Sequence, residues 1–371
     1  MMTRPTAQPL VFFAHHQGRG HANRIMAIAA HIPEDRPLHV LTAKPEQFDA
    51  MPREYSVTEL PNMIGAASRS EALHDQPTPS VMHCVPLGVD AMRQHMGIIA
   101  ETLRALDPAL FVIDVSAEIA LLARIMSVPA ITIRMHGDRS DIGHLAGYEA
   151  GVGMLAPFDE RIEQADYPQW ARARTFYTGG LCTTKDPVRS RDEARKALGL
   201  PLDKTITLVI AGGGGSGTPY APLTVAARAE PEALWLVAGP VHREGHETDF
   251  GNLRELGWID NLTDYLCAAD RVVASAGDNT VHEIARAGKP FLCIPEWRYF
   301  DEQQAKAAEL ARLEAAVHLP TWPASIPEWQ KALDRTDTLD TSILASLHDP
   351  DAARRAAEWL ESEAKRLWQA S

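Results

Sequence analysis

Two α/β domains, each a doubly wound parallel sheet, are what this chain of 371 residues predicts, and three observations lead there. Short continuous apolar runs alternate with helical patterns, as strands buried on both faces should. A glycine-bearing turn follows such a strand twice, at 17–21 and at 212–217. The length is generous for one domain and comfortable for two.

The elements follow in order. LVFFAHH (10–16) reads as a buried first strand, followed by the turn QGRGH and a helix over 22–31. LHVLTA (38–43) and YSVTELP (55–61) read as the second and third strands. Residues 62–80 are polar and aperiodic and predict a long loop. A helix over 88–106 leads to strand LFVID (110–114), helix 117–126 and strand AITIRM (130–135). Residues 143–165 carry little pattern, and RTFYTGGL (174–181) predicts the last strand of the first domain. Polar residues 185–190, with Pro187 among them, predict a hinge.

The second half opens with the helix SRDEARKALGL and restarts the strand pattern at ITLVIA (206–211), which runs into GGGGSG (212–217). A helix over 221–229, strand LWLVAG and a short strand around Trp258 and Ile259 come next. RVVAS (271–275) is a further buried strand. The helix after it, 279–287, has Asp278 or Asn279 placed to cap it and Gly288 to end it. FLCIPE (291–296) is another buried strand, and Asp301 opens a helix with Gln303 and Gln304 in its first turn. The expected boundaries are 1–184 and 185–348. The helix in 349–371 would pack back on the domains through Ala356, Trp359, Leu360, Leu367 and Trp368.

A net charge of −13 argues against a nucleic-acid binder and gives no support for broad attraction to anionic lipid. Cys84, Cys182, Cys267 and Cys293 are widely spaced, which suggests neither a zinc framework nor disulfides and fits a reducing cytoplasm. Cys267 and Cys293 lie in apolar runs and read as buried small hydrophobes. The first apolar run is too short for a signal peptide, and no run reaches the roughly 20 apolar residues that span a bilayer.

Three turns carry chemistry. The helix that starts near Asp278, Asn279 and Thr280 offers free amides and a partial positive charge to a phosphate. Glu283, one turn on, can accept from two neighbouring ribose hydroxyls, and the amides of Gln303 and Gln304 suit sugar hydroxyls. The bland alternative is a capped helix with a solvated carboxylate. The second turn, Gly212 to Gly217, satisfies the G-x-G-x-x-G fingerprint. The acidic residue expected after the next strand is missing, since LWLVAG runs into Pro240, Val241 and His242. What remains is either a flexible turn or a loop whose amides at Gly213, Gly214, Gly215 and Ser216 hold a diphosphate.

The third turn is His15-His16-Gln17-Gly18-Arg19-Gly20-His21, where Gly18 and Gly20 let the backbone approach a ligand. His21, at a helix start, is either a general base for an acceptor hydroxyl or a helix cap. His15 and His16 read as structural or substrate-lining, one pointing away from the other along a strand. Asp114 ends its strand where open α/β sheets bind ligands; it either orients His21, helps to remove the proton, or caps the next helix. His136 and Asp138 are weaker candidates of the same kind.

Residues 271–304 resemble the C-terminal domain of family 28 glycosyltransferases, of which the peptidoglycan lipid-precursor N-acetylglucosaminyltransferases are the type. The family pattern is S-G-x-x-T-x-x-E-I-A-x-A-G-x-P, an apolar strand ending in Pro, then D-x-Q-Q. Gly277, Thr280, Glu283, Ile284, Ala285, Ala287, Gly288, Pro290, Pro295, Asp301, Gln303 and Gln304 match it, while Ala276 stands where the family has Ser. The loop before Asp301 is one residue longer. The QGRGH turn resembles the family's G-x-G-H turn, and Ser216 matches its loop serine.

The resemblance implies the GT-B architecture, two Rossmann-like domains facing across a cleft, acceptor on the N-terminal one and nucleotide-sugar on the other. It implies an inverting, metal-independent transfer of a hexose from a UDP-sugar to a hydroxyl acceptor: a glycolipid, a polysaccharide precursor or a small molecule. In that reading His21 is the base with help from Asp114, and Gly18, Gly20 and His136 lie on the acceptor side. The diphosphate meets Gly213 to Ser216 and Gly277 to Thr280, the base meets the backbone of Ile259, Glu283 holds the ribose, and Gln303 and Gln304 hold the sugar. No metal and no further cofactor are expected, the lack of a D-x-D sequence agreeing. At most peripheral membrane contact and a cytoplasmic location are expected. The rivals are a UDP-sugar 2-epimerase of the same fold and an NAD(P)-dependent oxidoreductase using the glycine loop.

Overall fold

The computed structural model describes residues 7–63, 65–212, 217–243, 245 and 248–369. The chain divides into two compact units. The first is Met1–Pro157 with Ala165–Thr178 and Asp351–Ser371; the second is Phe158–Gln164 with Gly179–Pro350.

The first unit runs β1 (Leu10–Ala14), α1 (Gly20–Ala29), β2 (Leu38–Thr42), β3 (Ser56–Glu59), α2 (Glu71–His74), α3 (Asp90–Leu106), β4 (Leu110–Asp114), α4 (Ala117–Ile125), β5 (Ala130–Ile133), α5 (Ile142–Ala150), β6 (Gly153–Ala156), α6 (Gln169–Ala173) and β7 (Thr175–Tyr177). The strands form one parallel sheet in the order β3-β2-β1-β4-β5-β6-β7. β1, β2, β4, β5 and β6 are buried along their whole length, so their apolar runs show no alternation. Val11, Phe13, Phe111 and Ile113 pack with Ile99 and Leu103 of α3 and Ile119 of α4.

The second unit runs α7 (Arg191–Leu198), β8 (Ile206–Ile210), β9 (Thr218–Pro219), α8 (Tyr220–Ala229), β10 (Leu234–Ala238), β11 (Val241–His242), β12 (Leu253–Gly257), α9 (Leu262–Ala268), β13 (Arg271–Ala274), α10 (Asp278–Ala287), β14 (Phe291–Cys293), α11 (Glu302–Arg312), β15 (Val317–His318), α12 (Ile326–Asp337) and α13 (Thr341–Ala345). Its main sheet is parallel, in the order β12-β10-β8-β13-β14-β15. Trp235 of β10 meets Trp329 of α12 edge to face at 5.5 Å, both fully buried in the core under Val209, Val273 and Leu292. Ser190 and Glu193 form a reciprocal capping box at the start of α7.

The last helix, α14 (Ala352–Trp368), belongs to the first unit. Trp359 stacks on Phe176 of β7 at 4.9 Å. Arg36 donates to both oxygens of Glu361 at 2.9 and 2.7 Å, and the Trp368 indole donates to the Ala109 carbonyl at 2.9 Å.

Several local expectations are corrected. The strand expected at Trp258 and Ile259 lies just before them, as β12; it is an edge strand with the half-exposed sequence LRELG, so its apolar signal is weak. The loop over 62–80 contains α2, capped by Ser70, whose Oγ accepts from the Leu73 amide. The last strand of the first sheet is only Thr175–Tyr177, and the poorly patterned region before it holds α5 and β6. α10 starts at Asp278 with Gly277 at its N-cap, so neither Asp278 nor Asn279 caps it, while Gly288 ends it at φ 62° as expected.

Candidate active site

Each sheet has one place where neighbouring strands send their connections in opposite directions, and ligands of open α/β sheets bind beyond the carboxyl ends there. In the first unit that place is β1 and β4, whose register pairs Ala14 with Asp114. In the second it is β8 and β13, whose register pairs Ile210 with Ala274. Asp114 ends β4 at the first of these points, and Gly277 follows β13 at the second.

In the first unit, Asp114 ends β4 with no exposure to solvent. Its Oδ2 lies 3.1 Å from His21 Nδ1. Arg24, one turn further along α1 and itself buried, donates from Nη2 to both Asp114 oxygens at 3.0 Å. Burial alone would push the Asp114 carboxyl up; the Arg24 charge, the His21 charge and the bonds from both outweigh it and hold it at about 2. His21 keeps a fifth of its side chain exposed (20%), with its Nδ1 edge fixed by Asp114.

Neither residue is a helix cap. Ser116, not Asp114, caps α4, its Oγ accepting from the Ile119 amide at 3.3 Å. His21 is the second residue of α1 and Arg19 holds the N-cap position, with no side-chain capping bond. Between Asp114 and Ser116, Val115 sits at φ 53°, a left-handed conformation that costs a β-branched residue about 1–3 kcal/mol.

His15 and His16 do not alternate as expected. β1 ends at Ala14, so strand geometry no longer governs them, and their rings stack at 5.1 Å and 11°. Burial lowers the pKa of His15 to about 4, helped by His21 and His16 and opposed by Asp114. Burial also lowers that of His16, against its bond to Asn62. Gly18 is exposed at φ 78° and Gly20 is the first residue of α1. His136 is buried, its carbonyl accepting from Arg139, while Asp138 is exposed and accepts from the Ser140 hydroxyl at 2.7 Å.

In the second unit, α10 begins directly after the small residues at the end of β13, and no side chain caps its N-terminus. Gly277, Asp278, Asn279 and Thr280 are all partly exposed. Asp278 is ion-paired with Lys306 of α11, a fully buried lysine. Gln303 is buried: its Oε1 accepts from the Glu296 amide at 2.8 Å, and its Nε2 faces the Gly277 α-carbon region. Gln304 and Ile259 are partly exposed. Glu283 is half-buried on α10, and burial pushes its carboxyl up to about 7, Arg286 opposing and Asp186 adding to the rise. Phe300 and Asp301 both take positive φ, 63° and 50°, in the loop before α11. Gly213, Gly214, Gly215 and Ser216 lie outside the described residues.

Arg24 and Lys306 were not singled out from sequence. A charged residue within a helix reads as a solvated one; here Arg24 is buried against the Asp114 carboxylate and Lys306 against that of Asp278.

Two parallel-sheet units with these switch points define the GT-B class of glycosyltransferase folds. The fold of a Polygonum tinctorium UDP-glucosyltransferase superposes with a TM-score of 0.70 at 13% identity, over 98% of this chain and 100% of that one. That of Acinetobacter baumannii MurG gives 0.64 at 14% identity, over 95% and 99%. More particularly, residues 225–356 match the glycosyltransferase family 28 C-terminal domain. The chain is also 34% identical over 180 residues to the UDP-N-acetylglucosamine–N-acetylmuramyl-(pentapeptide) pyrophosphoryl-undecaprenol N-acetylglucosamine transferase of Azotobacter vinelandii, covering 45% of this chain and 48% of that protein. The chain thus spans about half the length of the curated relative it matches. Among the described residues no helix is long and apolar enough to cross a membrane.

Proposed function

We propose that this protein is an inverting, metal-independent glycosyltransferase that moves a hexose from a UDP-sugar to a hydroxyl acceptor. The first unit takes the acceptor and the second the donor. The observation that carries the reading is the His21–Asp114 pair at the switch point of the first sheet, on a chain whose residues 225–356 match a glycosyltransferase domain.

Asp114 holds Nδ1 of His21, so in the neutral ring the proton sits on Nδ1 and Nε2 is the basic atom. Nε2 takes the proton of the acceptor hydroxyl as its oxygen attacks the anomeric carbon. The bond from that carbon to the phosphate oxygen breaks on the opposite face, which inverts the configuration. The ionised Asp114 stabilises the imidazolium. The diphosphate leaves carrying the bond's electron pair, and the amides at Gly277 to Thr280 meet its charge. Preorganised donors of this kind supply roughly 2.7–4 kcal/mol each when they act on developing charge. Glu283 accepts from the two ribose hydroxyls, favouring UDP over a deoxyribose donor, and the amides of Gln303 and Gln304 bond to the sugar hydroxyls.

A lipid-linked saccharide is the favoured acceptor class, since the Azotobacter relative's name states one. The test is incubation with a panel of UDP-, dTDP- and GDP-sugars and undecaprenyl-diphosphate-linked acceptors, with EDTA present. Acceptor-dependent release of UDP and a product of inverted anomeric configuration are expected. Epimerised UDP-sugar formed without any acceptor, or UDP release only with added metal, would overturn the reading.

A further inference from the structure

A second constellation lies in the first unit, beyond the ends of β4 and β5 and apart from His21. His83, Asp141 and His144 bring two imidazoles and one carboxylate together, with ligand atoms all within 4.8 Å of one another. The rings of His83 and His144 are 4.0 Å apart, and Asp141 Oδ1 is 3.9 Å from His83 Nδ1. His144 Nδ1 is in direct contact with Asp141 Oδ2.

The surrounding chain holds these groups in place. Asp141 caps α5, its Oδ1 accepting from the His144 amide at 3.0 Å, which fixes the carboxylate relative to the ring three residues on. His83 belongs to another segment, between α2 and α3, and two devices seat it against α4 and α5. Glu118 of α4 accepts from the amides of His83 and Cys84 at 2.9 and 2.6 Å. Gly143 of α5 leaves room for the backbone: a Cβ there would lie 2.5 Å from the His83 nitrogen. Thus a carboxylate contact and a missing side chain converge on one result, an imidazole from a long connection set beside the aspartate that caps α5 and a histidine of its first turn.

We propose that His83, Asp141 and His144 bind a divalent transition cation of the zinc type, which fastens the segment between α2 and α3 onto α5. Two imidazoles and a carboxylate form a borderline N₂O donor set suited to zinc, and the solvent-exposed side of Asp141 leaves room for water to complete the shell. Ligand atoms of a tetrahedral site stand roughly 3–3.5 Å apart given metal–ligand bonds of about 2.0–2.1 Å, so only small side-chain shifts are needed. The cation takes the place of the contact between His144 Nδ1 and Asp141 Oδ2, and the single proton of the neutral ring moves to Nε2. This site is structural and independent of the proposed sugar transfer, whose diphosphate needs no metal.

The test uses the tag-free full chain stripped with chelator and titrated with Zn²⁺ in calorimetry at neutral pH. One Zn²⁺ per chain is expected. His83→Ala should weaken it by more than about 100-fold, beyond the 10–100-fold that an outer-sphere partner is worth, while His16→Ala should leave it unchanged. No stoichiometric binding by the wild type, or equal binding by His83→Ala, overturns the proposal. Should His83→Ala fail to fold, anomalous diffraction at the zinc edge on wild-type crystals decides. A peak joining His83 and His144 supports the site, and a peak elsewhere or none at all sinks it.

Discussion

Arg24 Nη2 donates to both carboxylate oxygens of Asp114 at 3.0 Å, while Asp114 Oδ2 stands 3.1 Å from His21 Nδ1. One buried acid therefore serves two partners, and its ties to the two have different consequences. The tie to Arg24 compensates a buried charge; the tie to His21 sets a ring.

His21→Ala is expected to lower kcat by about 10²–10⁴-fold, the usual worth of a positioned general base, with UDP affinity unchanged. Asp114→Asn should lower kcat by a similar factor, because the amide can present its NH₂ to Nδ1 and favour the wrong tautomer. Steady-state kinetics beside UDP calorimetry make the check. A loss of UDP affinity in either variant without loss of kcat contradicts the assignment.

Arg24→Ala leaves the Asp114 carboxylate buried with only His21 for a partner. Removing one member of a buried pair costs about 3–5 kcal/mol, and urea denaturation should show a loss of that order. The low Asp114 value gives the pH window. In the native wild type the carboxyl titrates at about 2, below its ordinary 3.8, so its contribution is complete above the ordinary value and is lost as pH falls toward 2. In Arg24→Ala the acid limb should begin at higher pH.

Glu283 carries the opposite sign. Its native carboxyl titrates near 7 rather than 4.5, so the unfolded chain gives up this proton first as pH rises. Stability from this residue therefore falls between about 4.5 and 7 and is level above that. Glu283→Gln should remove this decline, gaining on wild type in denaturant midpoint at pH 8 relative to pH 5. UDP affinity of the wild type should rise over pH 6–8 as the carboxylate ionises, and Glu283→Gln should bind more weakly and without that rise. A pH-independent wild-type affinity would falsify the ribose assignment.

Two glycines predict opposite outcomes for one substitution. A Cβ at Gly147 of α5 would lie 2.7 Å from the Ala117 α-carbon of α4, so Gly147→Ala forces these helices apart and should cost about 1–3 kcal/mol. At Gly97, within α3, a Cβ meets nothing within 4 Å, so Gly97→Ala should gain about 0.5–1 kcal/mol from helix propensity. Thermal unfolding of the pair compares them directly.

The sheets were legible in the sequence because most of their strands are buried on both faces and announce themselves as unbroken apolar runs. LFVID was read with the bounds it has, its terminal Asp114 falling at the switch point. β12 was misplaced because an edge strand needs no apolar run, and LRELG has none. α5 escaped because its glycines, Gly143 and Gly147, lower helix propensity while serving close contacts with His83 and Ala117. The pairing of His21 with Asp114 was open in the sequence as one of several roles, since two residues far apart in the chain meet only through the register of β1 and β4. Arg24, Lys306 and the His83 group gave no signal at all, because burial of a charged or polar side chain is decided by its partner rather than by its neighbours in sequence.

The return of α14 to the first unit bears on any attempt to divide this protein for study. A fragment ending after Tyr177 would strip Phe176 of the Trp359 ring and Arg36 of Glu361, baring apolar and charged surface that the tail normally shields. Producing the amino-terminal half alone therefore calls for grafting residues 351–369 onto it through a linker or supplying them as a separate peptide, and excising Gly179 to Pro350 alone would likewise leave behind Phe158–Gln164, whose Arg161 bonds to Ser346 and Arg312.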